Sequence, residues 1–128
     1  MRIGITGGAG FIGSNLTTEL KNLGYDVTIL DDLYNGELKN VEKLDIDFIE
    51  GSITNKKDVH NFVSKIDYVV HLAARGSVPR SIEDPIGTFD INVLGTLNII
   101  EELRNKQIPV IFTSSSSVYG LNSKIPKN

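Results

Sequence analysis

A glycine run set between a strand and a helix constrains this chain more than any other feature. Thr6-Gly7-Gly8-Ala9-Gly10-Phe11-Ile12-Gly13 follows Arg2-Ile3-Gly4-Ile5, a short apolar run that reads as a strand. After it Ile12, Leu16, Leu20 and Leu23 are spaced as the buried face of a helix that stops at Gly24. The first amides of such a helix have no internal partners, and its dipole favours negative charge. The turn is therefore built for phosphate. Glycine suits it because a side chain would hold a pyrophosphate away. The spacing Gly7-x-x-Gly10-x-x-Gly13 is one residue longer at its start than the G-x-G-x-x-G fingerprint.

The rest of the chain alternates strand and helix. Val27–Leu30 reads as a second strand ending in Asp31-Asp32, and a polar segment from Leu33 to Lys43 follows, with a turn at Asn35-Gly36. Ile46–Ile49 makes a third strand. Thr54 or Asn55 caps a helix whose buried face is Val59, Phe62, Val63 and Ile66. Tyr68–Leu72 is a fourth strand, with Ala73-Ala74 at its carboxyl end, and Arg75–Glu83 reads as a loop. Asp84-Pro85 opens a long helix that runs to about Lys106, with Phe89, Val93, Leu97, Ile100 and Leu103 toward the sheet and Ile91 and Leu94 opposite. Val110–Thr113 is a fifth strand ending in Ser114–Ser117, and Leu121–Asn128 is a polar loop containing Pro126. This pattern predicts an α/β fold, a doubly wound parallel sheet of five strands in order 3-2-1-4-5. Ligands of such a sheet bind at the switch point between strands 1 and 4, at the carboxyl ends.

Composition narrows the function. A length of 128 residues suits one domain. A net charge of -3 with no Lys/Arg cluster argues against nucleic-acid binding. The chain has no cysteine, which excludes thiol catalysis and zinc–thiolate sites and is compatible with a reducing cytoplasm. Neither a leader nor an apolar run of roughly 20 residues is seen, so no membrane association is expected and a cytoplasmic location is. His71, on a buried strand, reads as a satisfied structural histidine and His60 as a surface one. The two lack the carboxylate spacing of a metal site, so no metal is expected.

Asp31, 18 residues past Gly13, sits where a carboxylate accepts the adenosine ribose hydroxyls and repels a 2′-phosphate. Strand, glycine turn, helix, strand and Asp in that order point to NAD rather than NADP.

The chain resembles the N-terminal part of the extended short-chain dehydrogenase/reductase family. Within it, it is similar to the NAD-dependent sugar-nucleotide epimerases and dehydratases. The resemblance rests on Thr6–Gly13, Leu30-Asp31-Asp32-Leu33, His71-Leu72-Ala73-Ala74, Asn92-Val93-Leu94-Gly95-Thr96 and Ser114–Gly120. Gly76-Ser77-Val78-Pro79-Arg80-Ser81 is similar to the substrate-facing loop of UDP-hexose and UDP-N-acetylhexosamine 4-epimerases. The resemblance implies one incomplete NAD-binding Rossmann domain over residues 1–128. It places Gly7, Gly10 and Gly13 at the pyrophosphate, with the amides of Phe11 and Ile12. Asp31, beside Asp32, is placed at the ribose, and Asn35 and Gly36 over the adenosine. Ser52 and Ile53 are placed at the adenine, Ser52 standing where the family usually has Asp. Leu72, Ala73 and Ala74 are placed beneath the nicotinamide ribose and pyrophosphate, and Asn92 braces that end of strand 4. Ser77 and Arg80 are placed toward the substrate. Ser115 matches the family's active-site Ser/Thr, which bonds the sugar 4-hydroxyl, while Ser114, Ser116 and Ser117 are expected to cap backbone.

The family's catalytic base is a Tyr with a Lys four residues later, beyond this Ser. Tyr119 is not that residue, because Ser123 stands four after it and Lys124 one too far. The expectation is a chain that stops before the last strands and the sugar-binding domain, holds NAD, does not epimerise alone, and self-associates through its open apolar surface. Arg75 and Arg80 either meet a substrate diphosphate or remain solvated. Two other readings stay open: a non-enzymatic dinucleotide-binding module, and a dehydratase fragment. Ser116-Ser117, where a dehydratase would carry an acidic pair, favours an epimerase.

Overall fold

The computed structural model describes residues 1–120. The segment 121–128, read above as loop, lies outside the described residues. The strands are β1 (Arg2–Thr6), β2 (Asp26–Asp31), β3 (Asp47–Glu50), β4 (Tyr68–His71) and β5 (Val110–Phe112). They form one parallel sheet in the order β3-β2-β1-β4-β5, as the alternation predicts. The helices are α1 (Phe11–Asn22), α2 (Lys56–Val63), α3 (Val78–Glu83), α4 (Pro85–Phe89) and α5 (Thr96–Lys106).

The strand pleat divides the core between the two faces of the sheet. Ile5, Val27 and Ile29 pack with Ala9 and Val41 under α1. Leu30 and Val69 pack on the other face with Val59, Phe62 and Val63 of α2 and with Ile99 and Leu103 of α5. Successive strand residues point to opposite faces, so Ile29 and Leu30 serve different cores. Helix α2 starts as its sequence dictates: the Asn55 side chain accepts from the Lys57 N–H at 2.9 Å.

Three expectations change. The segment 75–83 is not all loop, because α3 occupies Val78–Glu83. Pro79 lies in the first turn of α3, where its missing N–H costs nothing. In α1, Leu16 and Leu20 pack against the core as expected, but Ile12 and Leu23 are exposed, and the buried positions beside the two leucines are small, Gly13 and Thr17. Finally, the long helix is interrupted by a π-helical turn, Asp90–Gly95, and its buried face is not the expected one. Of the expected face only Leu103 is buried, while Phe89, Val93, Leu97 and Ile100 are exposed; Ile91, Gly95 and Ile99 face the core with Leu103. Of the two residues expected opposite, Ile91 packs inward and only Leu94 is exposed. The helix approaches through Gly95, where an added Cβ would lie 2.6 Å from Ile53. A face defined by a glycine leaves no hydrophobic signal in the sequence.

One buried group is unpaired. Thr28 on β2 is fully buried and its Oγ1 has no hydrogen-bond partner among the described residues. A hydroxyl buried in this way costs about 1–3 kcal/mol in lost hydration, and Val has nearly the same shape. Thr28→Val is expected to stabilise the fold by about 1 kcal/mol in urea denaturation; a loss of stability would reveal an ordered partner for the hydroxyl.

Candidate functional site

The glycine turn stands at the carboxyl end of β1, and the three glycines of its Gly7-x-x-Gly10-x-x-Gly13 spacing serve different ends. Gly7 has φ +71°, and a Cβ on it would meet the Ala73 amide nitrogen at 2.9 Å. A Cβ on Gly13 would lie 2.4 Å from the Gly7 carbonyl oxygen. Both are therefore required by the protein's own packing, as the condition for a tight turn and close strand–helix contact. Gly10 is different. Its φ is -74°, any residue could adopt its backbone, and a Cβ would meet only the Gly7 oxygen, at 3.3 Å. Gly10 lines the cleft at this edge, so its missing side chain leaves room for a ligand rather than for the fold.

Asp31 ends β2 and is almost fully buried. Its Oδ2 accepts from the Ala9 amide at 2.9 Å and its Oδ1 from the Leu33 amide at 2.8 Å. Leu33 has φ 56°, a left-handed conformation uncommon for leucine, and it directs that amide back to the carboxylate. Each carboxylate oxygen keeps a further lone-pair direction. Gly36 covers the carboxylate closely, since a Cβ there would stand 2.9 Å from Ala9 and 3.0 Å from Asp31 Oδ1.

The first cleft is lined by Gly7, Gly10, Asp31, Asp32, Asn35, Gly36, Ile53, Leu72, Ala73 and Ala74, together with Leu30, Tyr34, Gly51, Arg75 and Ile91. Ten expected residues thus converge. Phe11, Ile12, Gly13, Ser52 and Asn92 do not line it. The side chains of Phe11 and Ile12 are exposed, and only their backbone amides, at the open N-terminus of α1, are available to an anion. Ser52 Oγ lies 2.9 Å from Thr54 Oγ1. Asn92 clamps the loop after β4: its Oδ1 accepts from the Arg75 amide at 2.8 Å, and its Nδ2 donates to the Arg75 carbonyl at 3.1 Å.

A second, wider cleft shares the wall Leu72–Arg75 with the first. Hydroxyls dominate it: Ser77, Ser81, Thr88, Thr96, Thr113, Ser114, Ser115 and Ser117, with Asn92. No acidic side chain lines it among the described residues. Ser115, not its neighbours, is the serine that caps backbone here; its Oγ accepts from the Ser117 amide at 3.1 Å. That bond leaves the hydroxyl proton free to be donated outward. Ser77 also caps backbone, accepting from the Arg80 amide at the start of α3. The Arg80 guanidinium does not line this cleft. It crosses to the other loop and donates to Asn35 Oδ1 at 3.0 Å.

The two clefts separate over a buried polar relay. Thr6 Oγ1 accepts from the amides of Leu72 and Ala73, each at 3.2 Å. Its own proton then goes to His71 Nδ1, 2.6 Å away. His71 is therefore the neutral Nε2–H tautomer, and Nε2 donates to Thr96 Oγ1 at 2.9 Å. Phe112 stacks on the ring, with centroids 5.8 Å apart. Burial pushes the His71 pKa down to about 4. Both ring nitrogens are engaged, as a structural histidine requires. Sequence reasoning does not find Thr6, Thr96 or Tyr34. Only Thr6, adjoining the glycine turn, carried a local signal.

With this geometry in place, the comparisons define the class. A family model for the NAD dependent epimerase/dehydratase family matches residues 3–128, and the chain belongs to that family. It is 36% identical over 138 residues to a bifunctional UDP-glucose 4-epimerase and UDP-xylose 4-epimerase 1 of Pisum sativum, covering 98% of this chain and 39% of the relative. It is 44% identical over 118 residues to a UDP-N-acetyl-alpha-D-glucosaminuronate decarboxylase of Bacillus cytotoxicus, covering 91% and 37%. Among solved structures, a Thermotoga maritima UDP-glucose 4-epimerase with UDP-glucose superposes with TM-score 0.91 at 35% identity, over 98% of this chain and 41% of that one. A Thermus thermophilus UDP-glucose 4-epimerase in complex with NAD gives 0.84 at 37% identity, over 90% and 38%. The chain thus spans about two fifths of the length of these relatives. No helix among the described residues is long and apolar enough to cross a membrane.

The relay sets a pH dependence. The unfolded chain binds a proton at His71 near pH 6.5, while the folded chain resists it until about pH 4. Between these values the unfolded state holds more protons, so stability is lost as pH falls through that window, by up to about 3 kcal/mol. His71→Asn is expected to be less stable at pH 7, with the gap to wild type narrowing by about that amount between pH 6.5 and 4. A gap that stayed constant in urea melts would mean that His71 is not held neutral.

Proposed function

We propose that this chain is the NAD-holding portion of a sugar-nucleotide 4-epimerase of the UDP-glucose 4-epimerase kind. One observation carries the reading: the cleft with the glycine turn and Asp31 shares a wall with a hydroxyl-lined cleft that contains Ser115 and no acidic side chain among the described residues. The residues fit the cofactor, since Gly10 leaves space the fold does not need and Asp31 presents a carboxylate in the cleft. NAD, when bound, supplies a hydride acceptor that returns the hydride. The amides of Phe11 and Ile12 would hold its diphosphate at the N-terminus of α1. The free lone pairs of Asp31 would accept the adenosine ribose hydroxyls, and its charge would oppose a 2′-phosphate. Asn92 and the Thr6 hydroxyl keep the shared wall in place through the backbone of Leu72, Ala73 and Arg75. Ser115 would hold the sugar hydroxyl that loses a proton, donating from Oγ while Oγ accepts from the Ser117 amide. Lined by hydroxyls without acids, the second cleft suits a neutral sugar and favours an epimerase over a dehydratase.

Calorimetric titration tests this directly. NAD is expected to bind and NADP to bind at least tenfold more weakly; absence of NAD binding at millimolar concentration would overturn the reading. Gly10→Ala is expected to melt within a few degrees of wild type yet to lose about tenfold in NAD affinity. Gly13→Ala, by contrast, forces a side chain into the Gly7 carbonyl and should lose about 3 kcal/mol of stability. Equal destabilisation by the two substitutions would mean that Gly10 serves the fold alone.

A further inference from the structure

Arg75 occupies a place that the proposed function does not use. It is the one cationic side chain among the described residues that line the first cleft, where Asp31 and Asp32 are the carboxylates. It also lines the second cleft and the small hollow between the 34–35 and 75–88 segments, so it stands where all three meet. Its position is held on several sides. Asn92 bonds both its amide and its carbonyl. The guanidinium lies 4.3 Å over the Tyr34 ring centroid, and Nη1 donates to Asp84 Oδ2 at 3.0 Å. That is the only hydrogen bond its side chain makes among the described residues, and the remaining N–H donors of the fork are uncommitted.

A cleft bearing two carboxylates repels an anion unless a cation offsets them. Backbone amides at a helix N-terminus supply only partial charge. A dinucleotide brings a diphosphate to this cleft. We propose that Arg75 is the counter-cation of that diphosphate, oriented by stacking on Tyr34 and held beside the cleft by Asp84 until the ligand arrives. The assignment rests on the NAD reading above. It takes Arg75 from the substrate side to the cofactor side, while Arg80, bonded to Asn35, has no such role. Asp84 is shared: its Oδ1 caps α4 by accepting from the Gly87 amide at 2.9 Å, while its Oδ2 holds Arg75. An Asn at 84 can keep the cap and release the cation.

The test is calorimetry of NAD binding to the whole 128-residue chain, with phosphate-free adenosine followed by NMR as the control ligand. Arg75→Gln is expected to weaken NAD about tenfold or more and to leave adenosine unchanged, since a charge-assisted hydrogen bond to phosphate is lost. Arg75→Lys, which keeps the charge, is expected to lose no more than about threefold, and it carries the test should Arg75→Gln melt early. Asp84→Asn is expected to tighten NAD by a few-fold. The assignment is overturned if Arg75→Gln binds NAD as wild type does, if it loses NAD and adenosine equally, if Arg75→Lys loses as much as Arg75→Gln, or if Asp84→Asn weakens NAD as much. In those cases Arg75 shapes the loop only. Wild type that binds adenosine but not NAD would overturn the cofactor reading itself and this assignment with it.

Discussion

Everything at the carboxyl edge depends on how the chain closes the fork between β1 and β4. Where parallel neighbours part, their last amides lose the ladder and must find other acceptors or water. Here the Leu72 amide still reaches the Thr6 carbonyl at 3.1 Å and is shared with the Thr6 hydroxyl, which also takes the Ala73 amide and sends its own proton on to His71. His71 in turn reaches Thr96 on α5. Three elements are thereby joined by one buried chain of bonds whose direction is fixed: hydroxyl to imidazole to hydroxyl. The backbone that this chain pins, Leu72 to Ala73, is the wall shared by the two clefts. A neutral imidazole is the condition for it, because a second ring proton would face a hydroxyl that already accepts twice.

The nucleotide side is built on a similar economy. Asp31 serves the fold and the cleft at once, since its oxygens organise the turn through Ala9 and the following loop through Leu33. Its burial is tolerable because both oxygens are hydrogen-bonded. The glycine turn divides the same labour by position. Gly7 and Gly13 are spent on internal contact, which leaves Gly10 as the residue whose bareness has no internal explanation. Gly8 also belongs to the packing set, since a Cβ there would lie 2.6 Å from the Ile29 side chain.

Much of this was legible in the sequence, and the reasons differ by element. The sheet order followed from alternation of short apolar runs with helical spacings, because parallel strands need long crossovers and crossovers have one hand. The cleft residues were legible because small and acidic residues at strand ends are otherwise unusual. What was hidden was contact made without hydrophobic side chains. The buried face of α5 runs through Gly95, and that of α1 through Gly13 and Thr17. Spacing of large apolar residues therefore placed Leu16, Leu20 and Leu103 correctly but pointed beyond them to Ile12, Leu23, Phe89, Val93, Leu97 and Ile100, which are exposed. The helix α3 was hidden by Pro79, which reads as a breaker unless its place in the first turn is known. The bridges Tyr34–Arg75 and Asn35–Arg80 join segments about 40 residues apart, and no local pattern announces them.

The two clefts also differ in what they can do chemically. The first brings two carboxylates and one guanidinium together beside the glycine turn. The second has hydroxyl donors and acceptors in number, yet among the described residues that line it none can take a proton near neutral pH. Arg75 is cationic, the serines and threonines do not ionise, and His71, the one imidazole, is buried with both nitrogens engaged. A hydroxyl group of a bound sugar could be gripped there but not deprotonated by these residues. Oxidation at a carbinol needs hydride and proton to leave together, so holding the hydride acceptor and orienting the hydroxyl are separable from accepting the proton. Under the proposed function the described residues would serve the first two tasks. Asp31, Asn92 and Thr6 all hold backbone: the carboxylate takes the amides of Ala9 and Leu33, Asn92 the amide and carbonyl of Arg75, and the Thr6 hydroxyl the amides of Leu72 and Ala73.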